Sequence, residues 1–410
     1  MIACRTGIGA PKEHMKDFDL VLFGATGFTG RLVADYLATA PTREGRSIHW
    51  AIAGRNEQKL EAISQQLDHV PILLADALDP ASCRAIAERT RTVCTTVGPY
   101  GKYGSALVAA CAEAGTHYCD LTGEVNWMRE MIDAHHERAT ETGARIVHAC
   151  GFDSIPSDLG TWATQQEHIR QHGHPARAIT SVYGPVKGGM SGGTAASGFV
   201  LAEAMSDPAV RRVLRNPYAL DPDPEAQHPA QPDNKKPGWD ARLRQFIVPF
   251  FMADTNSPVV RRGHALAGHP WGDDFQYREV MGTPGNARGF IMAATMTGGL
   301  LALSEAMKRP RVRQMLQKRA PQPGEGPDAA TRAAGHWKIT FVADDTPFYV
   351  VADPAGDPGY ASTSKMLGES ALCLTFDALT SKGGVLTPST AMGEALVERL
   401  RRAGLTFAPM

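Results

Sequence analysis

Six short apolar runs alternate with longer amphipathic segments in the N-terminal part of the chain. The runs are Leu20–Phe23, Ile48–Ala53, Ile72–Ala75, Val93–Val97, His117–Leu121 and Ile146–Cys150. Because they are apolar throughout, they are typical of strands that are covered on both faces. The longer segments between them predict helical crossovers, which join parallel strands in a right-handed sense. The pattern therefore predicts an α/β fold with a doubly wound parallel sheet.

The pattern changes beyond Gly151, where a second domain is expected. Six prolines in 216–238 predict a long surface loop, because proline fits neither a helix interior nor a central strand. Two apolar runs at 338–343 and 348–352 flank a short polar segment and predict a hairpin. Helical spacing of apolar residues predicts two further helices, over 365–379 and 389–400.

One uncharged run, 289–304, has 16 residues and is the longest in the chain. A helix that spans a bilayer needs about 18 apolar residues or more. We therefore expect no transmembrane span, and instead a buried or interfacial helix. Weak contact of this segment with a membrane surface is a further hypothesis.

Composition narrows the classes of protein and partner. A length of 410 residues predicts two domains of roughly 150 to 200 residues each. Charged residues make up 21% and the net charge is −1, which argues against disorder and against a nucleic-acid partner. The seven cysteines contain no CxxC pair, so we expect free thiols in a reducing compartment, the cytoplasm. Residues 1–16 lack the apolar core of a signal peptide and are expected to form a loose tail.

A glycine-rich segment follows the first apolar run and opens an amphipathic one. Its residues are Gly24, Ala25, Thr26, Gly27, Phe28, Thr29 and Gly30. In a Rossmann domain the first glycine allows a tight turn, the second lets the backbone approach a pyrophosphate, and the third permits close packing of helix on strand. The position between strand and helix predicts that this loop binds a dinucleotide.

The end of the second run indicates which dinucleotide is bound. An NAD enzyme usually places a carboxylate there for the ribose hydroxyls, whereas this chain has Ala53, Gly54 and Arg55. Arg55, with Lys59 one turn later, is suited to a 2′-phosphate, which predicts NADP. The alternative is an exposed arginine at a helix start. Asp76, at the end of the third run, is expected beside the adenine pocket or as a helix N-cap.

Five short segments in order resemble the saccharopine-dehydrogenase-like oxidoreductases, and in particular their trans-acting enoyl reductase subfamily. The segments are Gly24–Gly30, Ala53–Arg55, Val97–Tyr100, Cys119–Glu124 and Cys150–Asp158. The resemblance implies a Rossmann domain over 17–152, a larger inserted mixed α/β domain over 153–365, and a C-terminal return over 366–410. It also implies NADPH-dependent saturation of a carbon–carbon double bond on an acyl or polyketide thioester, either free or bound to a carrier.

Such a reduction needs a group that polarises the thioester carbonyl and a proton source for the α-carbon. Both must lie where strands end, so the catalytic candidates are Tyr100 and Tyr103 after the fourth run, and Asp153 and Ser154 after the sixth. The cofactor-binding candidates at this edge are Val97, Gly98 and Pro99. As alternatives, the tyrosines wall the pocket and Asp153 caps the following helix. No metal site is expected.

Several hypotheses about function and partners stay open at this stage. Reduction of a C=N or C=O bond is one alternative, and a catalytically silent NADP-binding protein on a lipid surface is another. The pair Arg261 and Arg262 either holds the phosphate of a pantetheine arm or forms ion pairs on a surface strand. A homodimer is possible.

Overall fold

The computed structural model describes residues 16–43, 45, 47–184, 192–232, 237–321 and 324–410, so residues 1–15 of the predicted tail lie outside the described residues. The first part of the chain alternates strands and helices: β1 (Phe18–Phe23), α1 (Phe28–Arg43), β2 (Trp50–Gly54), α2 (Glu57–Gln66), β3 (Ile72–Leu74), α3 (Pro80–Arg89), β4 (Thr90–Thr95), α4 (Tyr100–Tyr103), α5 (Ser105–Ala114), β5 (His117–Cys119), α6 (Val125–Thr142), β6 (Arg145–Val147) and α7 (Ile155–His172). Each predicted run contains a strand, with ends shifted by a few residues.

The second part of the chain mixes longer strands with helices. Its elements are β7 (Ala178–Tyr183), α8 (Gly192–Ala204), α9 (Pro208–Arg215), β8 (Gly238–Asp240), β9 (Gln245–Pro249), α10 (Ala253–Leu266), β10 (Gln276–Thr283), α11 (Ala287–Met307), α12 (Pro310–Arg319), α13 (Ala329–Ala333), β11 (Trp337–Ala343), β12 (Thr346–Asp353), a π-helical turn (Pro358–Ser362), α14 (Thr363–Phe376), β13 (Gly384–Leu386), α15 (Pro388–Arg402) and β14 (Thr406–Pro409).

The first sheet is parallel throughout and has the strand order β3-β2-β1-β4-β5-β6-β13 within the described residues. The chain moves outward from β1 to β3, then crosses back to β4 and moves outward on the other side. The order of the strands thus reverses between β1 and β4. This confirms the predicted doubly wound sheet, whose ligands bind where the order reverses, at the carboxyl ends of the strands.

The second sheet is mixed, with the order β14-β12-β11-β7-β10-β9-β8 in the described part of the chain. Its one parallel pair there is β7 with β10, and the neighbouring pairs are antiparallel. The predicted hairpin is β11 and β12. Its turn consists of Asp344 and Asp345, whose φ angles are 41° and 75°. Positive φ at both positions suits the right-handed twist of a tight hairpin.

The C-terminal segment completes both sheets. β13 pairs with β6 at the edge of the parallel sheet, and α14 packs against α1, β1, β4 and β5. β14 instead pairs with β12 in the mixed sheet. Buried residues of both layers form one continuous cluster, which joins Leu22 of β1, Phe341 of β11 and Met366 of α14. The two layers therefore share a hydrophobic core.

Two predictions about the middle of the chain have different outcomes. In the proline-rich segment, 216–232 and residue 237 contain no helix or strand, while 233–236 lie outside the described residues and Gly238 starts β8. The expected surface position is wrong for residues 218–221, which are buried. Of the two alternatives for the apolar run 289–304, a buried helix is wrong, and an interfacial helix stays a prediction. The run lies in the 21-residue α11, which is 6% buried over its most apolar window. Among the described residues, α11 is the one helix that is long and apolar enough to cross a membrane by length and composition.

Candidate active site

The loop between β1 and α1 has the geometry that its three glycines predict. Gly24 has a φ of 100°, which disfavours any side chain. A Cβ atom on Gly30 would lie 2.1 Å from the carbonyl oxygen of Gly24, so α1 packs closely against the loop. A Cβ on Gly27 would meet nothing closer than that same oxygen at 3.4 Å. The backbone at Gly27 is therefore the open side of the loop.

The N-terminus of α1 provides a site for an anion. The helix begins at Phe28 and has no acidic residue in its first turn. The first N–H groups of a helix have no acceptor within it, and the helix dipole favours negative charge there. Phe23 is in register with Ala53 of β2 and with Thr95 of β4, so the three following loops leave the sheet at one level. An open glycine backbone at this helix start fits a dinucleotide pyrophosphate.

Arg55 lies directly after β2, and its side chain is exposed. Asn56 is the N-cap of α2, because its side chain accepts the backbone N–H of Lys59. Asp76 does not cap a helix. Its carboxylate accepts the N–H of Leu78, and the N-cap of α3 is Asp79. The exposed Arg55 therefore does not cap α2. It lies at the carboxyl end of β2, where Rossmann folds bind the ribose of a dinucleotide.

Tyr100 and Tyr103 lie on the short helix α4, but their side chains have different surroundings. Tyr100 is 3% exposed, and its hydroxyl donates to the carbonyl of Thr95 at 3.2 Å. Burial raises the pKa of Tyr100 well above its usual value. Tyr103 is partly buried, with the Lys102 ammonium 5.0 Å from its ring centre. These contacts favour a structural role for Tyr100 in the wall of the pocket. Tyr103 stays a candidate for donating a hydrogen bond or proton to the substrate.

Asp120 fixes the ends of β5 and β6 relative to each other. One carboxylate oxygen accepts the backbone N–H groups of Thr122 and Ala149 at 3.1 and 3.0 Å. The other accepts the hydroxyl of Tyr118 at 2.9 Å and lies 2.7 Å from Nδ1 of His148. Asp120 is fully buried. Sequence reasoning missed this role. The signal for it is a polar residue near the end of each of two successive apolar runs, Asp120 in the fifth and His148 in the sixth.

Asp153 lies in a niche between the ends of the same two strands. A Cβ atom on Gly151 would be 2.9 Å from its Oδ2, and a Cβ on Gly123 would be 3.8 Å from its Oδ1. Met252 and Thr255 would contact the same Cβ atom on Gly123, each at 3.8 Å. In the part of the chain that the structure describes, no other side chain donates a hydrogen bond to the Asp153 carboxylate, and its own backbone N–H favours the charged form. Burial, with a smaller effect of Asp120, raises its pKa to about 7.

Ser154 belongs to a buried polar network. Its hydroxyl donates to Oδ1 of Asn256 at 3.1 Å, and Nδ2 of Asn256 donates to Glu279 at 3.0 Å. Tyr277 donates to the same carboxyl group at 2.6 Å. Burial raises the pKa of Glu279 to about 7. Ser154 starts α7 without capping it through its side chain, so the network joins this helix to the mixed sheet.

Both expectations for Arg261 and Arg262 are wrong. The two residues lie on the buried helix α10 and are 4% and 3% exposed. Arg261 donates to the carbonyls of Pro217 and Tyr277, and Arg262 donates to those of Leu220 and Val385. Burial lowers their pKa values to about 10 and about 9. These arginines hold the proline-rich segment and the C-terminal return in place.

The parallel sheet, the glycine loop and a niche at the adjoining strand ends define a dinucleotide-binding oxidoreductase fold. Residues 20–147 match the family model described as saccharopine dehydrogenase NADP binding domain. A Mycobacterium tuberculosis protein provisionally named a trans-acting enoyl reductase is 42% identical over 96% of this chain and 97% of its own length. A trans-acting enoyl reductase of Mycobacterium bovis is 38% identical over 96% of this chain and 97% of its own.

The chain belongs to the trans-acting enoyl reductase family, which confirms the resemblance seen in the sequence. A saccharopine dehydrogenase (L-Glu forming) from Saccharomyces cerevisiae has a similar fold, with a TM-score of 0.52 and 12% identity. That structural match covers 95% of this chain and 99% of the yeast chain. At this identity the likeness describes the architecture alone.

Proposed function

We propose that this protein is an NADPH-dependent enoyl reductase that saturates a double bond conjugated to the carbonyl of an acyl or polyketide thioester. The observation that carries the proposal is the buried carboxyl group of Asp153, at the carboxyl edge of a dinucleotide-binding sheet, for which the described residues provide no side-chain hydrogen-bond partner. Carboxyl groups with raised pKa values at such an edge are suited to donate a proton near neutral pH.

NADPH would supply the hydride in this reaction. Its pyrophosphate would lie over Gly27 and the start of α1, with Arg55 beside the 2′-phosphate and Asp76 near the adenine. Val97, Gly98 and Pro99 follow β4 and would line the nicotinamide end. These assignments rest on the open backbone at Gly27, on the exposed position of Arg55 and on the common level of the strand ends.

Asp153 would deliver the proton to the α-carbon, and Tyr103 is our candidate for polarising the carbonyl. Tyr100 would wall the niche because its hydroxyl is occupied by the backbone. Ser154 would support the niche through Asn256. The side chains beside the two glycines of the niche include Leu121, Met252 and Thr255, and none of these is basic. Such surroundings suit an acyl chain better than an amino acid, whose carboxylate would need cations.

The test is NADPH oxidation with a matched panel of an enoyl thioester, an imine and a ketone. We expect turnover with the enoyl thioester. Turnover with the imine or ketone alone would favour the C=N or C=O alternative, and tight NADPH binding without any turnover would favour a silent binding protein. The six described cysteines are buried free thiols, which suits our proposed cytoplasmic location.

Replacing Arg55 with alanine tests the cofactor assignment. We expect NADPH binding to weaken by about tenfold to a hundredfold, or about 1.5 to 3 kcal/mol, because a hydrogen bond to a charged group is lost. NADH binding should be almost unchanged, since it has no 2′-phosphate. Fluorescence titration with both cofactors measures this, and Arg84→Ala is a control at another exposed arginine. Equal losses for NADPH and NADH would reject the assignment.

Replacing Tyr100 with phenylalanine distinguishes a structural role in the pocket wall from a role as general acid. The ring stays and the bond to Thr95 is lost, so we expect stability to fall by about 0.5 to 1.5 kcal/mol. Turnover should stay within about threefold of the wild type, whereas loss of a general acid reduces it by at least about a hundredfold. Steady-state kinetics and thermal unfolding check both expectations. A hundredfold loss of kcat with unchanged NADPH affinity would return Tyr100 to the catalytic group.

A further inference from the structure

Helix α11 carries an unusually large exposed apolar surface. Phe290, Ile291, Leu301 and Leu303 are 58%, 63%, 63% and 52% exposed. These residues lie at both ends of a helix whose length is about 30 Å at 1.5 Å per residue. Soluble helices usually bury one apolar face against the core. α11 instead exposes apolar side chains around its circumference and is held to the mixed sheet near its N-terminus, where Phe290 contacts Phe246.

The segment that follows α11 is strongly basic. Residues 308–319 contain six lysines and arginines and no acidic residue, in a chain whose net charge is −1. Lys308 forms an ion pair with Glu305 of α11, whereas Arg313 donates to the main-chain carbonyls of Ala202 and Met307 and keeps its charge without an acidic partner among the described residues. Arg311, Lys318 and Arg319 are exposed. Basic clusters beside an apolar helix are attracted to anionic lipid headgroups, with about 1 kcal/mol for each residue at the surface.

The topology shows how this surface would meet a bilayer. β10 precedes α11 and β11 follows α12 and α13, and both strands pair with β7 in the same sheet. The two ends of the connection are thus anchored on one side of the domain. If α11 crossed a bilayer, the basic segment would have to cross back through the hydrocarbon, which is very costly for lysine and arginine. The helix is therefore arranged to lie along a surface.

We propose that α11 and α12, named here the lipid arm, bind the surface of an anionic bilayer, with the apolar side chains of α11 in the interface and the cations of α12 on the headgroups. Amphipathic contact of this kind combines buried apolar area with electrostatic attraction. An anionic bilayer matches both helices of the lipid arm, because its hydrocarbon accepts the apolar side chains of α11 and its headgroups attract the cations of α12. The proposal does not depend on the reduction chemistry.

Sedimentation with vesicles tests the proposal without any substrate. Full-length protein is mixed with vesicles of phosphatidylcholine alone, or with 30% phosphatidylglycerol, at low and high salt. We expect binding to the anionic vesicles that weakens as salt rises. The double variant Ile291→Glu/Leu301→Glu should reduce the partition coefficient by at least about tenfold, and so should Arg311→Glu/Lys318→Glu. These side chains are exposed, so the fold should tolerate the changes.

Matched controls lie on other exposed surfaces of the chain. Leu74→Glu/Leu78→Glu changes two leucines that are each 55% exposed, and Arg84→Glu/Lys382→Glu reverses two exposed cations. Both controls should bind vesicles like the wild type. Failure of the wild type to bind anionic vesicles at low salt would overturn the proposal. It would also be overturned by a dimer in analytical ultracentrifugation that Ile291→Glu/Leu301→Glu converts to monomer without any effect on vesicle binding, since a second copy would then cover α11.

Discussion

Replacing Asp153 with asparagine should lower kcat for enoyl thioester reduction by about a hundredfold to ten-thousandfold, the range for loss of a general acid. The NADPH dissociation constant should stay within about twofold, because the niche lies at the strand ends beyond the glycine loop. Asparagine keeps the shape of the side chain and removes the proton that Asp153 would donate. Single-turnover kinetics and cofactor titration on the same preparations separate these two effects.

The same substitution should change the pH dependence of catalysis and stability. Burial raises the pKa of Asp153 to about 7, so wild-type kcat should fall as pH rises through 7 and the acid loses its proton. An unfolded aspartate titrates near 4, so the folded protein binds the extra proton between about pH 4 and 7 and loses stability as pH rises there. Asp153→Asn should remove both dependences. Its melting temperature should therefore exceed that of the wild type at pH 8 by more than at pH 5.

Asp158 offers a matched control for Asp153. Burial raises its pKa to about 7 as well, but its carboxylate accepts the N–H and hydroxyl of Ser389 at 2.7 and 2.8 Å. Asp158→Asn should lower stability through these lost bonds and leave the pH profile of kcat in place. If Asp153→Asn kept the wild-type kcat and pH profile, Asp153 would not be the proton donor.

The second large effect is expected at Gly27. Gly27→Val should weaken NADPH binding by about 100-fold or more, equal to about 2.7 kcal/mol, because the side chain would occupy the open face of the loop. The melting temperature should change little, since a Cβ at this position meets only ordinary contacts. Cofactor titration and thermal unfolding measure the two quantities separately.

Gly30→Ala is the contrasting control on the same loop. A Cβ there would lie 2.1 Å from the Gly24 carbonyl oxygen, so this variant should lose stability before any ligand is added. NADPH binding by a folded Gly27→Val protein with wild-type affinity would show that the dinucleotide does not lie over this loop.

Much of the fold follows from the pattern of the chain. Runs that are apolar throughout predicted the parallel strands, and the polar turn between 343 and 348 predicted the hairpin. The choice between a buried and an interfacial α11 could not be made from the sequence, because an apolar helix has the same composition whether protein or lipid covers it. Its surroundings depend on long-range packing, which periodicity does not contain.

The site could be predicted in part, because parallel strands bring their carboxyl ends to one edge. That rule located the glycine loop, Tyr100 and Asp153 after β1, β4 and β6, at one edge of the sheet. It did not give the direction of the Tyr100 hydroxyl, which depends on the carbonyl of Thr95. The role of Asp120 as the link between β5 and β6 requires knowing which backbone amides converge on it.

The helix α14 and the strand β13 have a consequence for how this protein is made. α14 covers β1, β4 and β5, yet it is synthesised about 220 residues after the last of the six N-terminal strands. At typical rates of 5 to 20 residues per second, this delay is roughly 10 to 45 s on the ribosome. The part of the nascent sheet that α14 covers, over β4 and β5, stays without it during that time, and apolar surface exposed in this way is prone to aggregate. A fragment that ends after β6 should accordingly be prone to aggregate when expressed alone.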